Sequence, residues 1–389
     1  MYSILLILLF ALVFLILIEL NHKFRPYSPL EISPRDWKIN KTEDHMIIEG
    51  NITIYNPMSK MEIMVPEISI NPKILGGDEI NYLKIEKQII SNHPDEESRS
   101  DFYWPAYILK GKKETNAFVR LIIKNSKGLK HIDNIENIWI NVDWYNYGPF
   151  GRVKRKDGFN IPIKKPEVLR SDDLVFKSIE NIKILPIKTH IWGRLDTIAD
   201  IIKLYCGDII NKGDIITIGE TPLAIIQGRY IHPSNIYISS ISKVLCRLFH
   251  PTSSLATACG FQSLIDIYGP SRILISVILG ILAKIIGIKG LFYRLAGEQA
   301  RLIDDITGTT PPYDQTIVLG PKNSERICNE LSRKFKVSIA IVDVNDLGKV
   351  KILASSNKCN KNLVFNALKS NPAGNANQQT PIVLIRECI

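Results

Sequence analysis

The first charged residue of this chain is Glu19, and everything before it, Met1 to Ile18 (MYSILLILLFALVFLILI), is uncharged and almost wholly apolar. A run like this is not stable as an isolated segment in water. It matches the roughly 17–25 residues that cross a bilayer as a helix, so residues 1–20 are expected to be a transmembrane anchor. A cleaved signal peptide would carry a basic region ahead of the run and a small-x-small site before Glu19–Asn21, and the sequence has neither. Lys23, Arg25, Arg35 and Lys38 follow the run, and the positive-inside bias then makes this a single-pass protein with the bulk of the chain in the cytoplasm.

The rest must fold in water. With 389 residues and 45% hydrophobic content, two or three folded units are expected. Lys plus Arg outnumber Asp plus Glu by 49 to 39, an excess that suits an anionic partner such as phosphate or a membrane face. Aromatics make up only 8% and form no stripe with the basic residues, so nucleic acid is not expected as a partner. The six cysteines form no CxxC pair and none precedes Cys206, which points to reduced thiols and away from a disulfide framework or structural zinc.

Residues 27–165 carry period-two patterning. In Ile138–Trp144, Ile138, Ile140, Val142 and Trp144 alternate with Trp139, Asn141 and Asp143, as a half-buried strand requires. Similar runs at Met46–Tyr55, Met61–Ile70 and Ala117–Lys124 are divided by turn-forming segments, which predicts an all-β sandwich serving as a spacer or interaction domain. The basic run Arg152–Lys156 reads as a solvated loop or a contact to anionic lipid near the anchor. Residues 169–389 are mixed. Helical spacing over Asp196–Tyr205 and Asn323–Phe335 alternates with strand-like Gly213–Gly219 and Val337–Val342, so an α/β domain is expected. Within it, Ile273–Ile288 is a second apolar run, broken by Lys284 and flanked by Arg272, Lys289 and Arg294. It reads as a buried or interfacial helix rather than a second span.

Chemistry is best placed on two acidic turns, Ile303-Asp-Asp-Ile-Thr-Gly308 and Ile341-Val-Asp-Val-Asn-Asp-Leu-Gly348. In the second, an apolar strand delivers Asp343 at its carboxyl end, where ligands of open α/β sheets sit, and Asn345 and Asp346 follow. Carboxylates there suit a hard divalent ion that shares phosphate oxygens with a nucleotide, although such a turn also serves as an ordinary Asx cap. Arg229, Arg294 and Arg301 are candidate phosphate-binding cations. The chain contains no P-loop and no GxGxxG after a strand, which excludes Walker-type and Rossmann nucleotide sites, and no GxSxG elbow or HExxH helix, which disfavours serine hydrolase and zinc protease readings.

The order of signals from about Leu185 onward resembles the coenzyme F-420-0:L-glutamate ligase (gamma-glutamyl ligase) family. Gly213-Asp214 precedes a strand and Gln227-Gly-Arg229 follows it. After these come Ala296-Gly-Glu-Gln-Ala-Arg-Leu-Ile-Asp304, then Ile317-Val-Leu-Gly-Pro321, then the strand ending at Asp343. The resemblance implies a two-lobed ligase-like fold, usually a homodimer, that joins a small carboxylate acceptor to L-glutamate using GTP and Mg²⁺ or Mn²⁺. It implies Asp304 and Asp343 as metal ligands and Gly228 and Arg229 as nucleotide- or substrate-binding positions; Asp305, Asn345 and Asp346, on the two acidic turns, are further candidates for nucleotide or substrate binding. The family's serine, lysine and glutamate read Ala224, Ile225 and Gln227 here, and its later threonine reads Val344, as in a divergent, membrane-anchored branch. The competing expectation is a non-catalytic, membrane-tethered binding or assembly scaffold on the same fold.

Overall fold

The computed structural model describes residues 2–23, 28–42, 45–76, 82–125, 131–306, 310–344, 349–374 and 378–387. Asn345 and Asp346 lie outside them. In the N-terminal helix α1 (Tyr2–Lys23), the stretch Tyr2–Leu20 is long and apolar enough to cross a membrane, and its side chains are exposed among the described residues.

The front domain consists of β1 (Glu31–Lys41), β2 (His45–Tyr55), β3 (Ile63–Leu75), β4 (Leu83–Asn92), β5 (Tyr107–Leu109), β6 (Glu114–Asn125), β7 (Asn137–Gly148) and β8 (Gly151–Pro162). They form two antiparallel sheets, β1-β2-β6-β4 and β5-β3-β7-β8. Alternation decides the packing, because Met46, Ile48, Ile52 and Ile54 of one sheet and Ile138, Ile140 and Val142 of the other turn inward into one core. Pro34 lies on β1, an edge strand, where a missing N–H costs no ladder bond.

The basic run 152–156 is not a loop. It lies on β8, and its cations are engaged: Arg152 reaches Glu67 at 2.9 Å, Lys154 lies 3.6 Å from Asp143, and Arg155 donates to the Asn235 carbonyl at 2.6 Å.

The second part adds β9 (Lys177–Ile179), β10 (Ile182–Ile187), α2 (Ile198–Cys206), β11 (Ile215–Gly219), α3 (Glu220–Ile226), β12 (Tyr230–Ile231), α4 (Ser240–Leu245), α5 (Ala258–Tyr268), α6 (Pro270–Ile285) and α7 (Leu291–Ala296). It ends with β13 (Ile317–Val318), α8 (Ser324–Phe335), β14 (Ser338–Val344), β15 (Val350–Ser355), α9 (Lys361–Leu368) and β16 (Ile382–Glu387). Its main sheet has the order β15-β14-β11-β16-β10-β9, with β11 and β14 parallel and the other pairs antiparallel. Ile216, Ile218, Ile339 and Ile341 pack on one face with Tyr205 of α2 and Leu331 of α8. Ile215, Ala340 and Val342 pack on the other with Val364 and Leu368 of α9. Burial on both faces explains why these strands read as nearly continuous apolar runs. The segment from α4 to β13 has its own core around Phe261, Leu264, Ile273 and Phe292.

The two parts meet along one joint. Arg194, only 13% exposed, holds Asp157 of β8 through two N–H···O bonds of 2.7 and 3.1 Å, donates to the Ile32 carbonyl at 3.1 Å, and lies 4.3 Å from the centre of the Tyr230 ring. The Tyr230 hydroxyl donates to the Gly158 carbonyl at 2.6 Å, and Asn160 Nδ2 donates to the Ile191 carbonyl at 3.0 Å. A small apolar cluster of Trp139, Ala224, Ile225, Tyr230, Tyr313 and Val318 closes the joint.

Candidate functional site

The parallel pair β11 and β14 sets the position of the site. Gly219 lies opposite Val342, so the next residues lie at the same carboxyl edge, Glu220 opening α3 and Asp343 still within β14. Asp304 arrives from a distant part of the chain. Its N–H donates to the Val318 carbonyl and its carbonyl accepts from the Val318 N–H, both at 2.8 Å, so β13 carries it over the start of α3. Thr221 Oγ1 donates to Asp304 Oδ2 at 3.2 Å. Glu220, Thr221, Asp304, Asp343 and Arg301 together line a cleft of about 300 Å³, floored by Thr217 and Val383.

The electrostatics of this cleft are those of acids crowded out of water. Burial pushes Glu220 up to about 9, helped by the charges of Asp304 and Asp343 and opposed by Lys351. Burial also raises Asp304 to about 6, against the Thr221 hydrogen bond and with the charge of Asp343. Asp343 is raised by burial and eased by Lys351, its neighbour across the β14–β15 pair. Glu220 is 8% exposed, and its Oε2 and the buried Lys351 Nζ have no hydrogen-bond partner among the described residues.

Hard oxygen donors in a cleft that penalises their charge fit a divalent cation chemically. Among the described residues, no three His, Cys, Asp or Glu side chains form a set able to hold a metal ion alone. A Mg²⁺-type ion does not require one, since it keeps water and shares substrate phosphates with one or two carboxylates.

The other sequence candidates lie elsewhere. Gly228 and Arg229 line a second cleft, about 870 Å³, between the sandwich and the α/β part. The reason is geometric: α3 begins at Glu220 and ends at Ile226, about 10 Å of helix at 1.5 Å per residue, and the chain then reverses at Gly228 (φ +66°). Arg229 is committed there. Its Nε donates to the Gly320 carbonyl at 2.5 Å and Nη2 to Gln299 Oε1 at 3.4 Å, and burial lowers its pKa. A side chain at Gly228 would strike Arg194, with its Cβ 2.9 Å from Nε. Asp305 turns toward α5, where Thr257 Oγ1 donates to it, and does not line the acidic cleft. Of the candidate cations, only Arg301 lines that cleft.

Two of the departures from the ligase pattern have a structural reason. Ala224 and Ile225 are buried, at 0% and 3% exposure, in the cluster that includes the sandwich residue Trp139. Serine and lysine there would be covered by the front domain. Gln227 is closed on Lys322, donating to its carbonyl at 2.9 Å and accepting its N–H at 2.7 Å.

Sequence reasoning missed Glu220. The signal was available, since an acid follows the apolar run Ile215–Gly219 just as Asp343 follows Ile339–Val342.

No curated protein matches the chain. Among solved structures, the GAE domain of GGA2p from Saccharomyces cerevisiae is similar at 10% identity and TM-score 0.21, covering 36% of this chain and 95% of that one. A protein from Archaeoglobus fulgidus is similar at 13% identity and TM-score 0.20, covering 35% of this chain and 98% of that one. The collagen binding subdomain ACE19 of the Enterococcus faecalis surface protein ACE is similar at 9% identity and TM-score 0.18, covering 36% and 99%. Residues 31–165, the sandwich, match the family model described as F420-0:gamma-glutamyl ligase, N-terminal Ig-like domain, so the front of this chain resembles the Ig-like domain of a gamma-glutamyl ligase.

Proposed function

We propose that the chain is a membrane-anchored ligase of the gamma-glutamyl type, facing the cytoplasm and acting on a small carboxylate acceptor, L-glutamate and GTP. The observation that carries this reading is the meeting of Asp304 and Asp343, distant in sequence, in one cleft at the carboxyl edge of a parallel strand pair. In the reaction, the γ-phosphoryl group passes to an acceptor carboxylate oxygen, leaving a nucleoside diphosphate. The glutamate amine then attacks the acyl carbon, forming the amide and releasing phosphate and a proton. Asp304 and Asp343 would hold Mg²⁺ or Mn²⁺, which when bound supplies positive charge against the phosphates. Arg301, which lines the same cleft, offers a second positive charge to the same oxygens.

The burial of Ala224 and Ile225 under Trp139 favours a second reading, a tethered scaffold that keeps the fold and has lost some anion contacts. Titration calorimetry of the full chain in detergent with GTP and Mn²⁺ separates the two. Heat is expected for the native chain and none for Asp343→Asn at unchanged circular dichroism. No heat for the native chain would sink the ligase reading and favour the scaffold.

A further inference from the structure

Helix α6 has an inner and an outer face of similar character, and only the inner one is covered. Ile273, Ser276, Val277 and Ala283 are buried, and Gly280 sits against Phe292 with no room for a Cβ. On the outside, Ile275, Ile278, Leu279, Leu282, Ile285 and Ile286 are all exposed, from 41% at Leu279 to 76% at Ile285. Contiguous aliphatic surface of this extent marks a docking site in a soluble domain.

The charge pattern selects the partner. From Ile267 to Gly297 the chain has no acidic residue, while Lys284, Lys289 and Arg294 are exposed cations. A second copy placed on this face would bring lysine toward lysine with no acid on the segment to pair with them. A bilayer with anionic headgroups accepts both the aliphatic face and the flanking cations, whose stems lie along the apolar surface with their heads in water. The bilayer is also within reach. If α1 spans it, the seven residues between Lys23 and Glu31 extend at most about 25 Å, which holds the folded part beside the lipid at high effective concentration.

The geometry excludes a second span. The 16 residues of α6 make a helix of about 24 Å, short of a hydrocarbon core of about 30 Å. The preceding α5 turns away by 115° and buries Phe261 and Leu264 in the protein core, so the two helices cannot continue one another through the membrane.

We infer that α6 lies in the membrane–water interface, its outer face among the upper acyl chains of the bilayer that α1 anchors, as a second, in-plane attachment. This rests on the anchor and is independent of the ligase chemistry. The test uses the full chain in nanodiscs of phosphatidylcholine with phosphatidylglycerol, carrying Ile278→Trp or, in a second variant, Ile285→Trp. Replacing the phosphatidylcholine by its form brominated on the acyl chains should cost each variant tryptophan emission beyond any loss in the unsubstituted chain. That extra loss should shrink when phosphatidylglycerol is omitted or when Lys284→Gln and Lys289→Gln are combined.

Incorporation of the chain into the disc tests the anchor separately. A disc-bound chain whose new tryptophan is not quenched by brominated lipid would overturn the inference. So would a tryptophan shielded from lipid and from aqueous acrylamide alike, with two chains per disc, because a second copy would then cover the face.

Discussion

Glu220 is a carboxyl held in an environment that opposes its charge. A carboxyl raised from 4.5 to about 9 is bound more tightly by protons in the folded than in the unfolded chain, so its contribution to stability is full below 4.5 and is lost as pH rises toward 9. Asp304 adds a loss of the same sign between 3.8 and about 6. Thermal melts in chelator should therefore fall in midpoint across that range. Glu220→Gln, which cannot ionise, should flatten the slope above pH 6 and raise the midpoint at the alkaline end. A variant that melts with the native slope would show that Glu220 is not the titrating group. Mg²⁺ added at alkaline pH should raise the native midpoint, because a cation bound only by the folded state stabilises it by mass action. Asp304→Asn should remove that rise. Asp304 and Asp343 were legible as acids in turns, but Glu220 was hidden because a lone acid after a strand also serves as an ordinary helix-start residue.

At the scale of elements, burial on one face or two decides how well a strand can be read. β2 and β7 alternate because one sheet face packs and the other meets solvent, so their period is visible. β11 and β14 are buried on both faces, and their runs, IITIG and SIAIVDV, show no period at all. Ile216 and Ile339 lie side by side in that pair at 0% exposure. Replacing Ile339 by alanine should cost about 2–5 kcal/mol in denaturant unfolding, and by valine about 0.5–1.5 kcal/mol, at unchanged slope. Helix ends follow local chemistry more closely. Thr197 Oγ1 accepts the Asp200 N–H at 3.2 Å to start α2, and Thr197→Ala should cost about 1 kcal/mol in the same measurement. The stretch 273–288 was legible as a helix from its apolar length, whereas its two apolar faces, one covered and one open, were not. Composition alone does not say which side has a neighbour.

For the whole molecule, the joint between sandwich and α/β part decides what each side exposes. Removing one partner of its buried ion pair leaves the other unpaired, so Asp157→Ala should lower stability by roughly 3–5 kcal/mol. It should also separate the sandwich and α/β transitions in a denaturant titration followed by tryptophan emission. A single transition at the native midpoint would mean that the pair does not hold the parts together. Trp139 occupies an outward position on β7 by strand alternation, yet it is 8% exposed because Tyr313 meets it edge-on at 5.1 Å. The same contact buries Ala224 and Ile225. The amino-acid sequence by itself determined the apolar N-terminal helix, the β front, the α/β rear and the acids at Asp304 and Asp343, because each rests on local composition or period. Only the tertiary structure decided that those two acids share a cleft with Glu220, that Gly228 and Arg229 face another, and that the rear of the sandwich covers α3. Those outcomes depend on which strands lie side by side and which surfaces touch, and such pairings join residues too far apart in the chain for any local pattern to record.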